Sequence, residues 1–179
     1  GGVAALYNWL LGIAHQGMTE NFRMNRLLMW IQPENYSSGI GYQTVQGLYA
    51  IGSGGLFGKG LGKSLQKLGF IPESQNDMIF SIICEELGLF GAMCIILVFA
   101  LMLWRIIHIA QNAPDLFGTM LAAGVFAHVA VQVVLNIAVV TNFIPNTGVS
   151  LPFISYGGTA SFFLLLEMGI VLNISSKIR

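Results

Sequence analysis

Long runs of apolar residues occupy the second half of the chain. Residues 87–104 carry no charged side chain over 18 positions and residues 116–140 carry none over 25. Residues 156–174 form a third run of 19 residues, interrupted by Glu167. A helix needs roughly 20 apolar residues to cross about 30 Å of hydrocarbon, and in lipid it satisfies its backbone hydrogen bonds internally. The pattern therefore predicts three membrane-spanning helices.

The pattern before these runs is different. Residues 1–14 are apolar but too short to span a bilayer, so they are interpreted as the tail of a truncated transmembrane helix. Residues 15–76 mix polar, charged and glycine positions and predict a large loop. Within it, residues 18–31 combine apolar and charged positions as an interfacial amphipathic helix does, with Trp30 at headgroup depth. The chain is thus predicted to be the C-terminal part of an all-α polytopic membrane protein.

The remaining boundaries follow from the same pattern. Residues 77–110 are predicted as a helix leading out of the loop and into the first full span, and residues 116–140 as the second span. Residues 141–155 contain two prolines and no charge, which favours a re-entrant link between spans. Residues 156–179 are predicted to hold the last transmembrane helix and the C-terminus.

Charges at the ends of the spans predict the orientation. Arg105 and His108 follow the first full span and the chain ends in Lys177 and Arg179, whereas the 141–155 link has no charge. By the positive-inside rule the Arg105 turn and the C-terminus are cytoplasmic and the link is outside. The preceding loop is then extracytoplasmic despite its Lys and Arg residues. Its 62 residues exceed the length of about 60 above which the rule weakens.

Composition agrees with a membrane protein. Hydrophobic residues make up 55% of the chain and charged residues only 9%, against about 25% in soluble domains. Eight basic and eight acidic residues leave no net charge, so nothing indicates a nucleic-acid partner. Three scattered histidines, His15, His108 and His128, have no metal-ligand spacing, so no metal site is predicted.

Asp77 is the most informative single residue, because it lies where the polar loop meets an apolar helix. Ser74 and Asp77 have the spacing of a capping box, in which Ser74 would be the N-cap and the helix dipole would favour the carboxylate. Spacing alone favours this structural role. The role is compatible with catalysis, since a helix N-terminus keeps a carboxylate ionised, as a general base requires.

Two further acidic residues follow at Glu85 and Glu86. On a continuous helix, Glu85 would lie within about 80° of Asp77 and Glu86 about 180° from it. Glu85 is therefore expected to share the face of Asp77, and Glu86 to pair elsewhere. Interhelical hydrogen bonds are the structural alternative for both.

Polar residues also occur inside the later spans. His128, Gln132 and Asn136 recur every four residues and predict a stripe that faces other helices or a cavity. Hydrogen bonds between helices are the structural explanation. Glu167 is the ionisable residue deep in the last span and a functional candidate, with its partner expected outside this chain.

The glycine-rich stretch at residues 52–62 holds six glycines, which disfavour a regular helix and permit close approach to a ligand or another segment. It ends in Gly62-Lys63-Ser64, but a P-loop needs glycine where Phe57 stands. Two interpretations stay open. The stretch is a flexible loop, or its amides and lysines bind a phosphorylated ligand.

Two long motif blocks carry a family resemblance. The first reads GYQTVQGLYAIGSGGLFGKGLGKSLQKLGFIPESQNDMIF, continued by EELGLFG, and the second reads PNTGVSLPFISYGG. Both resemble the SEDS family of FtsW, RodA and SpoVE proteins, from about Arg23 to the C-terminus, with a lean towards the FtsW and SpoVE branch. The resemblance implies the last four helices of a roughly ten-helix bundle in the bacterial plasma membrane.

The resemblance also implies an activity, the polymerisation of lipid II into glycan strands outside the membrane during division or sporulation. The family's catalytic aspartate corresponds to Asp77. This chain has Gln75-Asn76 before it and Met78 after it, where the family commonly has His-Thr or Gln-Thr and Phe, which questions substrate detail more than chemistry. Glu167 stands where the family is expected to have an apolar residue. A class B penicillin-binding protein and the division complex are the implied partners.

An α-linked diphosphate substrate and a β-1,4 product imply one inverting displacement, with Asp77 as base for the attacking hydroxyl. The leaving diphosphate needs cationic stabilisation, from the lysines of the loop or from a divalent cation. The predicted substrate-binding residues are Lys59, Lys63, Lys67, Glu73 and Ser155. The alternatives are a lipid II flippase, which would use Glu167 and the polar stripe, and a non-catalytic division scaffold.

Overall fold

The chain folds into α-helices. The computed structural model describes residues 26, 29–31, 40–64 and 76–178, and all regular structure there is helical. The four longer helices are α1 (Ile40–Gly54), α2 (Ile79–Gln111), α3 (Leu116–Val140) and α4 (Gly158–Ser176). Helices α2, α3 and α4 are each long and apolar enough to cross a membrane. The prediction of an all-α membrane bundle is confirmed.

Helix α3 packs between α2 and α4 through a stripe of small and β-branched residues. Its buried positions recur every three or four residues, which places them on one face. They include Gly118, Ala122, Val125, Val129, Val133, Asn136 and Val140. Facing them are Phe99 and Ile106 of α2 and Val171 of α4, all in the same buried cluster. Large apolar side chains elsewhere on these helices point outward, as expected for surfaces covered by lipid or by further helices.

Helix α1 is an element that the sequence analysis did not predict, and it lies along the start of α2. Its buried face is a line of small residues at intervals of three or four: Gly41, Thr44, Gly47, Ala50 and Gly54. Such residues allow helix backbones to approach closely. A Cβ atom on Gly47 would come within 2.6 Å of Met78 Cε, and one on Gly54 would collide with the Cys84 carbonyl. Gly54, one of the six glycines expected to disfavour a helix, therefore belongs to the contact surface of α1 together with Gly41 and Gly47.

Helix α2 is broken at Gly88, where φ is 69° and ψ is −168°. A straight helix of 33 residues would be about 50 Å long, whereas α3, with 25 residues, is about 37 Å long. Residues 112–115 connect the two as antiparallel neighbours. A straight α2 would therefore carry its first residues far beyond the end of α3.

The break turns the first segment of α2 (residues 79–87) across the end of the bundle. Asn136, within the last two turns of α3, donates a hydrogen bond of 2.8 Å to the carbonyl oxygen of Asp77. That contact is possible only if the first segment turns sideways at Gly88. Helix α1 accompanies it, so the two form a layer over one end of the bundle, here called the Asp77 end.

The 141–155 link lies at the same end and is held by side chains from distant parts of the chain. The indole Nε1 of Trp30 donates to the carbonyl oxygen of Asn142 at 3.0 Å. The guanidinium of Arg26 donates to the carbonyl oxygen of Asn146 at 3.4 Å. Residues 26 and 29–31 are helical, while the rest of the predicted interfacial helix lies outside the described residues. The link is thus a packed platform beside Asp77.

Candidate active site at the Asp77 end

Asp77 lies in a turn just before α2, and its side chain is only partly buried. Helix α2 begins at Ile79 with Met78 as its N-cap, and no side chain caps it. The capping box predicted from Ser74 and Asp77 is therefore wrong in register, because Asp77 precedes the first helical residue by two positions. Ser74 lies outside the described residues. The helix dipole still points its positive end towards the Asp77 turn.

The carboxylate of Asp77 accepts a hydrogen bond from α1. Gln43 Nε2 donates to Asp77 Oδ1 at 3.1 Å. A donor from a neighbouring helix orients the carboxylate. Gln43 was not predicted as a site residue, although it stands within the first motif block. The signal in the sequence was that Gln43 directly precedes Thr44, and Thr44 belongs to the small-residue face of α1.

The main chain of Asp77 is held by Asn136. The amide nitrogen of Asn136 donates both to the Asp77 carbonyl at 2.8 Å and to the Val149 carbonyl at 2.7 Å. Asn136 is fully buried. One side chain of α3 therefore joins the Asp77 turn to the 141–155 link.

The glycine loop (residues 55–64) fills the break in α2. The amides of Lys59 and Gly60 donate to the carbonyls of Glu85 and Glu86 at 2.9 and 3.0 Å. In return, the amides of Leu89 and Phe90 donate to carbonyls of the loop at 3.0 and 3.2 Å. Since an unsatisfied backbone group in an apolar region is costly, the loop stabilises the break. Of the two possibilities for close approach, a ligand or another segment, the structure shows the second.

Glu85 is fully buried and faces this loop rather than Asp77. Its Oε1 forms an ion pair of 2.7 Å with Lys59 Nζ, and its Oε2 accepts a hydrogen bond of 2.5 Å from Ser64. The expectation that Glu85 shares a helix face with Asp77 is wrong. It assumed one continuous helix through both residues, whereas α2 begins at Ile79, after Asp77. For Glu86, the buried Oε1 has no hydrogen-bond partner among the described residues.

The Lys59–Glu85 pair predicts an asymmetric response to mutation. Glu85 is fully buried whereas Lys59 is 32% exposed. Lys59→Met removes the ammonium from a buried carboxylate and is expected to destabilise the full-length protein by about 3–5 kcal/mol. Glu85→Gln leaves a lysine that reaches water and keeps an acceptor for Ser64, so the expected loss is about 1–3 kcal/mol.

Thermal unfolding of the purified full-length variants in detergent measures this order. The double variant Lys59→Met/Glu85→Gln serves as control and should be more stable than Lys59→Met alone, because it removes the buried charge. If Glu85→Gln proves the more damaging single change, the pair does not hold the loop in the way described.

The other predicted substrate-binding residues are placed as follows. Lys63 is exposed, and it forms no salt bridge within the described residues. Ser155 is nearly buried, and its hydroxyl accepts a hydrogen bond of 2.7 Å from the Leu151 amide, so it closes a turn inside the link. Lys67 and Glu73 lie outside the described residues.

His128, the first residue of the polar stripe on α3, contacts helix α4. His128 Nδ1 lies 3.0 Å from Glu167 Oε2 on α4. The partner of Glu167 is therefore in this chain, which corrects the expectation of a partner elsewhere. His128 is 53% exposed and Glu167 26% exposed, so both border an open surface between the spans.

Gln132 lies between His128 and Asn136 and borders a groove of about 510 Å³. The groove is lined by Ala127, His128, Val131, Gln132, Leu135 and Val149. The buried Gln132 Oε1 has no hydrogen-bond partner among the residues that the structure describes. The stripe thus presents two polar groups to a mostly apolar groove that Val149 of the 141–155 link also lines.

The Asp77 end combines three properties of a site for base chemistry. A carboxylate is held by a donor from α1, its main chain is tied to a buried amide, and the exposed Lys63 lies on the glycine loop, which bonds to the first segment of α2. Across the described ranges, no group of three or more metal-ligating side chains was found. The arrangement supports proton transfer from a hydroxyl group bound beside the link.

Comparisons with known proteins identify the family of the chain. The family model FtsW/RodA/SpoVE, described as cell cycle protein, matches residues 3–179. Stage V sporulation protein E of Bacillus subtilis is 46% identical over 95% of this chain and 46% of its own length. The probable peptidoglycan glycosyltransferase FtsW of Trichlorobacter lovleyi is 44% identical over 88% of this chain and 42% of its own length. The chain thus spans slightly less than half the length of these curated relatives.

A solved structure shows the same fold. The solved structure is described as showing the structural coordination of polymerization and crosslinking by a peptidoglycan synthase complex. The similarity has a TM-score of 0.69 at 24% identity and covers 99% of this chain and 48% of that chain. The family model covers nearly every residue, and the relatives match well above 30% identity. The chain therefore belongs to the FtsW/RodA/SpoVE family of multi-pass membrane proteins.

Proposed function

We propose that the full-length protein is a peptidoglycan glycosyltransferase that polymerises lipid II at the outer face of the bacterial plasma membrane, with Asp77 as general base. The observation that carries the proposal is the Asp77 carboxylate, oriented by Gln43 at one end of a membrane bundle. Relatives named as probable peptidoglycan glycosyltransferases support the reaction class.

The proposed orientation places the Asp77 end outside the cell. Arg105, His108 and Lys177 lie at the opposite end, which the positive-inside rule assigns to the cytoplasm. Basic residues on the outer side count against this orientation. The ion pair between Lys59 and Glu85 supports the assignment, because it neutralises the charge of one of them. Substrate carrying its sugars outside the membrane would then meet Asp77 and the 141–155 link.

The chemistry follows from the stereochemistry of substrate and product. The sugar 4-hydroxyl of one molecule attacks the anomeric carbon of another, and Asp77 accepts the hydroxyl proton. The new bond joins that oxygen to the anomeric carbon, while the bond to the diphosphate breaks and the lipid diphosphate leaves with the electron pair. One displacement converts the α-linkage into a β-linkage. General-base assistance of this kind contributes about 10²–10⁴-fold to a rate.

The leaving diphosphate requires positive charge near the Asp77 end. Lys63 is the described residue that fits this role, because it is exposed on the glycine loop. Lys67 stays a proposed contributor. Lys59 is less suited, because its ammonium forms the ion pair with buried Glu85. Ser155 is also less suited, because the Leu151 amide occupies its hydroxyl. A divalent cation is the alternative source of charge.

A class B penicillin-binding protein is the proposed partner during division or sporulation. The similar solved chain comes from a complex described as a peptidoglycan synthase that coordinates polymerization and crosslinking. Polymerised strands need crosslinking, so a partner with that activity would act on the product of Asp77 chemistry.

A lipid II flippase is the second candidate function. The observation that favours it is the His128–Glu167 contact of 3.0 Å between two spans, beside the groove that Gln132 lines. Ionisable residues inside a membrane are costly and often mark a transport pathway. Translocation would require these groups, whereas polymerisation would require Asp77.

Substitution of the His128–Glu167 pair separates the two functions. In the full-length protein, His128→Asn and Glu167→Gln are each expected to keep strand synthesis within about threefold of wild type, because neither residue touches the Asp77 turn. The readout is the rate of strand synthesis from purified lipid II. A loss of lipid II translocation in vesicles, with strand synthesis never detected in any variant, would support the flippase.

The experiment for the main proposal uses the full-length protein with its class B partner and purified lipid II in detergent. β-1,4-linked glycan strands are the expected product, and Asp77→Asn is expected to lower their rate of formation by about 10²-fold or more. If Asp77→Asn makes strands at the wild-type rate, Asp77 is not the base. A scaffold without enzymatic activity would give no strands in either protein.

A further inference from the structure

Asn136 is placed where an apolar residue would be expected. Its neighbours on the buried face of α3 are Val129, Val133 and Val140, and it is itself fully buried. A primary amide at such a position is unfavourable unless its donors are satisfied. The favourable contribution of this side chain therefore comes from the hydrogen bonds that its amide nitrogen donates, since its buried Oδ1 has no hydrogen-bond partner among the described residues.

Both donors of Asn136 are used, and their acceptors are main-chain carbonyls of two separate segments. Nδ2 lies 2.8 Å from the Asp77 oxygen and 2.7 Å from the Val149 oxygen. Two carbonyl oxygens beside one end of the amide require the nitrogen there, since an amide oxygen would repel them. The side chain thus works as a bridge with a defined orientation.

The Asp77 turn needs such a bridge because Asp77 precedes α2. The Ser81 amide bonds to the Met78 carbonyl, one residue after Asp77. The Asp77 carbonyl instead accepts from Asn136, a residue of another helix. Gln43 holds the carboxylate while Asn136 holds the main chain, so two helices fix the two parts of the same residue.

We propose that Asn136 is a positioning residue for the Asp77 base: it fixes the Asp77 main chain against the 141–155 link and does not contact substrate. This inference rests on the proposed function. A base displaced by about 1 Å can lose about 10²-fold in rate, so the bridge acts on the chemical step. Substrate contacts made elsewhere in the site are left in place.

Asn136→Leu tests the proposal in the full-length protein with its partner and lipid II. Leucine keeps nearly the same shape but removes both donors. The expected result is a kcat lowered by about 10- to 100-fold with the KM for lipid II within about twofold of wild type. Gln132→Leu, one turn away on the same helix, is the matched control and should keep both values within about twofold.

The possible outcomes separate this proposal from the function on which it rests. If Asp77→Asn is inactive while Asn136→Leu keeps the wild-type kcat, the positioning role is wrong and the function stands. A raised KM with unchanged kcat would also overturn it, because Asn136 would then bind substrate. If Asp77→Asn keeps the wild-type rate, both proposals fail.

A second variant covers the case in which Asn136→Leu does not fold. Asn136→Ser keeps one donor on a shorter side chain, so it should hold the Asp77 turn less firmly. A kcat between those of wild type and Asp77→Asn is expected, again with an unchanged KM. A wild-type kcat for Asn136→Ser would overturn the positioning role.

Discussion

Asp77→Asn in the full-length protein is expected to lower the rate of glycan strand synthesis by about 10²–10⁴-fold. The physical reason is that asparagine has nearly the same shape but cannot accept the hydroxyl proton. It keeps an oxygen for the hydrogen bond from Gln43, which measures 3.1 Å to Asp77. The fold and the layer of α1 over the bundle should therefore persist. The measurement is the initial rate of strand formation from purified lipid II.

Asp115→Asn is the matched control for this change. Asp115 is the N-cap of α3 at the opposite end of the bundle, where its carboxylate accepts from the Gly118 amide at 3.0 Å. Asparagine caps helices about as well as aspartate, so the charge is lost with little effect on structure. The rate should stay within about twofold of wild type. An equal loss in both variants would point to net charge rather than to the Asp77 base.

Gly88→Ala is expected to prevent the full-length protein from accumulating in a folded state. Gly88 has φ 69° and ψ −168°, a region that is essentially restricted to glycine. A Cβ atom there would collide with the Gly58 amide and lie 2.6 Å from the Leu56 oxygen. Backbone strain and overpacking together are expected to destabilise the protein by about 2–6 kcal/mol. That range is comparable to the entire stability of many domains.

Gly124→Ala provides the control for Gly88→Ala, because Gly124 lies within α3 and a Cβ atom there would meet no described atom within 4 Å. Alanine is a better helix former than glycine by about 1 kcal/mol, so this variant should be at least as stable as wild type. Folded yield and thermal unfolding in detergent compare the two variants. A folded, wild-type-like Gly88→Ala protein would show that α2 does not require the break.

The spans were predictable from sequence, whereas the break in α2 was not. Charge-free runs of about 20 residues leave few structures other than helices in a membrane. Gly88 stands in such a run, where a single glycine is usually tolerated within a helix. The break depends on hydrogen bonds to the glycine loop about 30 residues earlier. The pattern of residue types along the chain does not indicate which distant segments form such hydrogen bonds.

The candidate site was predictable only in part. The motif blocks pointed to Asp77, but its expected role in a capping box assumed Ser74 as the N-cap, whereas the N-cap in the structure is Met78, four residues later. Helix α1 was missed because its glycines resemble a flexible loop, although the spacing of Gly47, Ala50 and Gly54 carried a helical signal. The partner of Glu167 was expected outside this chain, whereas His128 of α3 lies 3.0 Å from its carboxylate. The first error concerns the local start of a helix, whereas the other two concern contacts between segments distant in sequence.

A direct test of Asp77 as the general base separates substrate binding from bond formation in the Asp77→Asn protein. The full-length variant and its class B partner are mixed with fluorescent lipid II, and binding and single-turnover bond formation are measured together. A general base acts on the chemical step, so lipid II should bind within about threefold of wild type while β-1,4 bond formation falls by about 10²-fold or more. Bond formation at the wild-type rate by the variant would show that Asp77 is not the base.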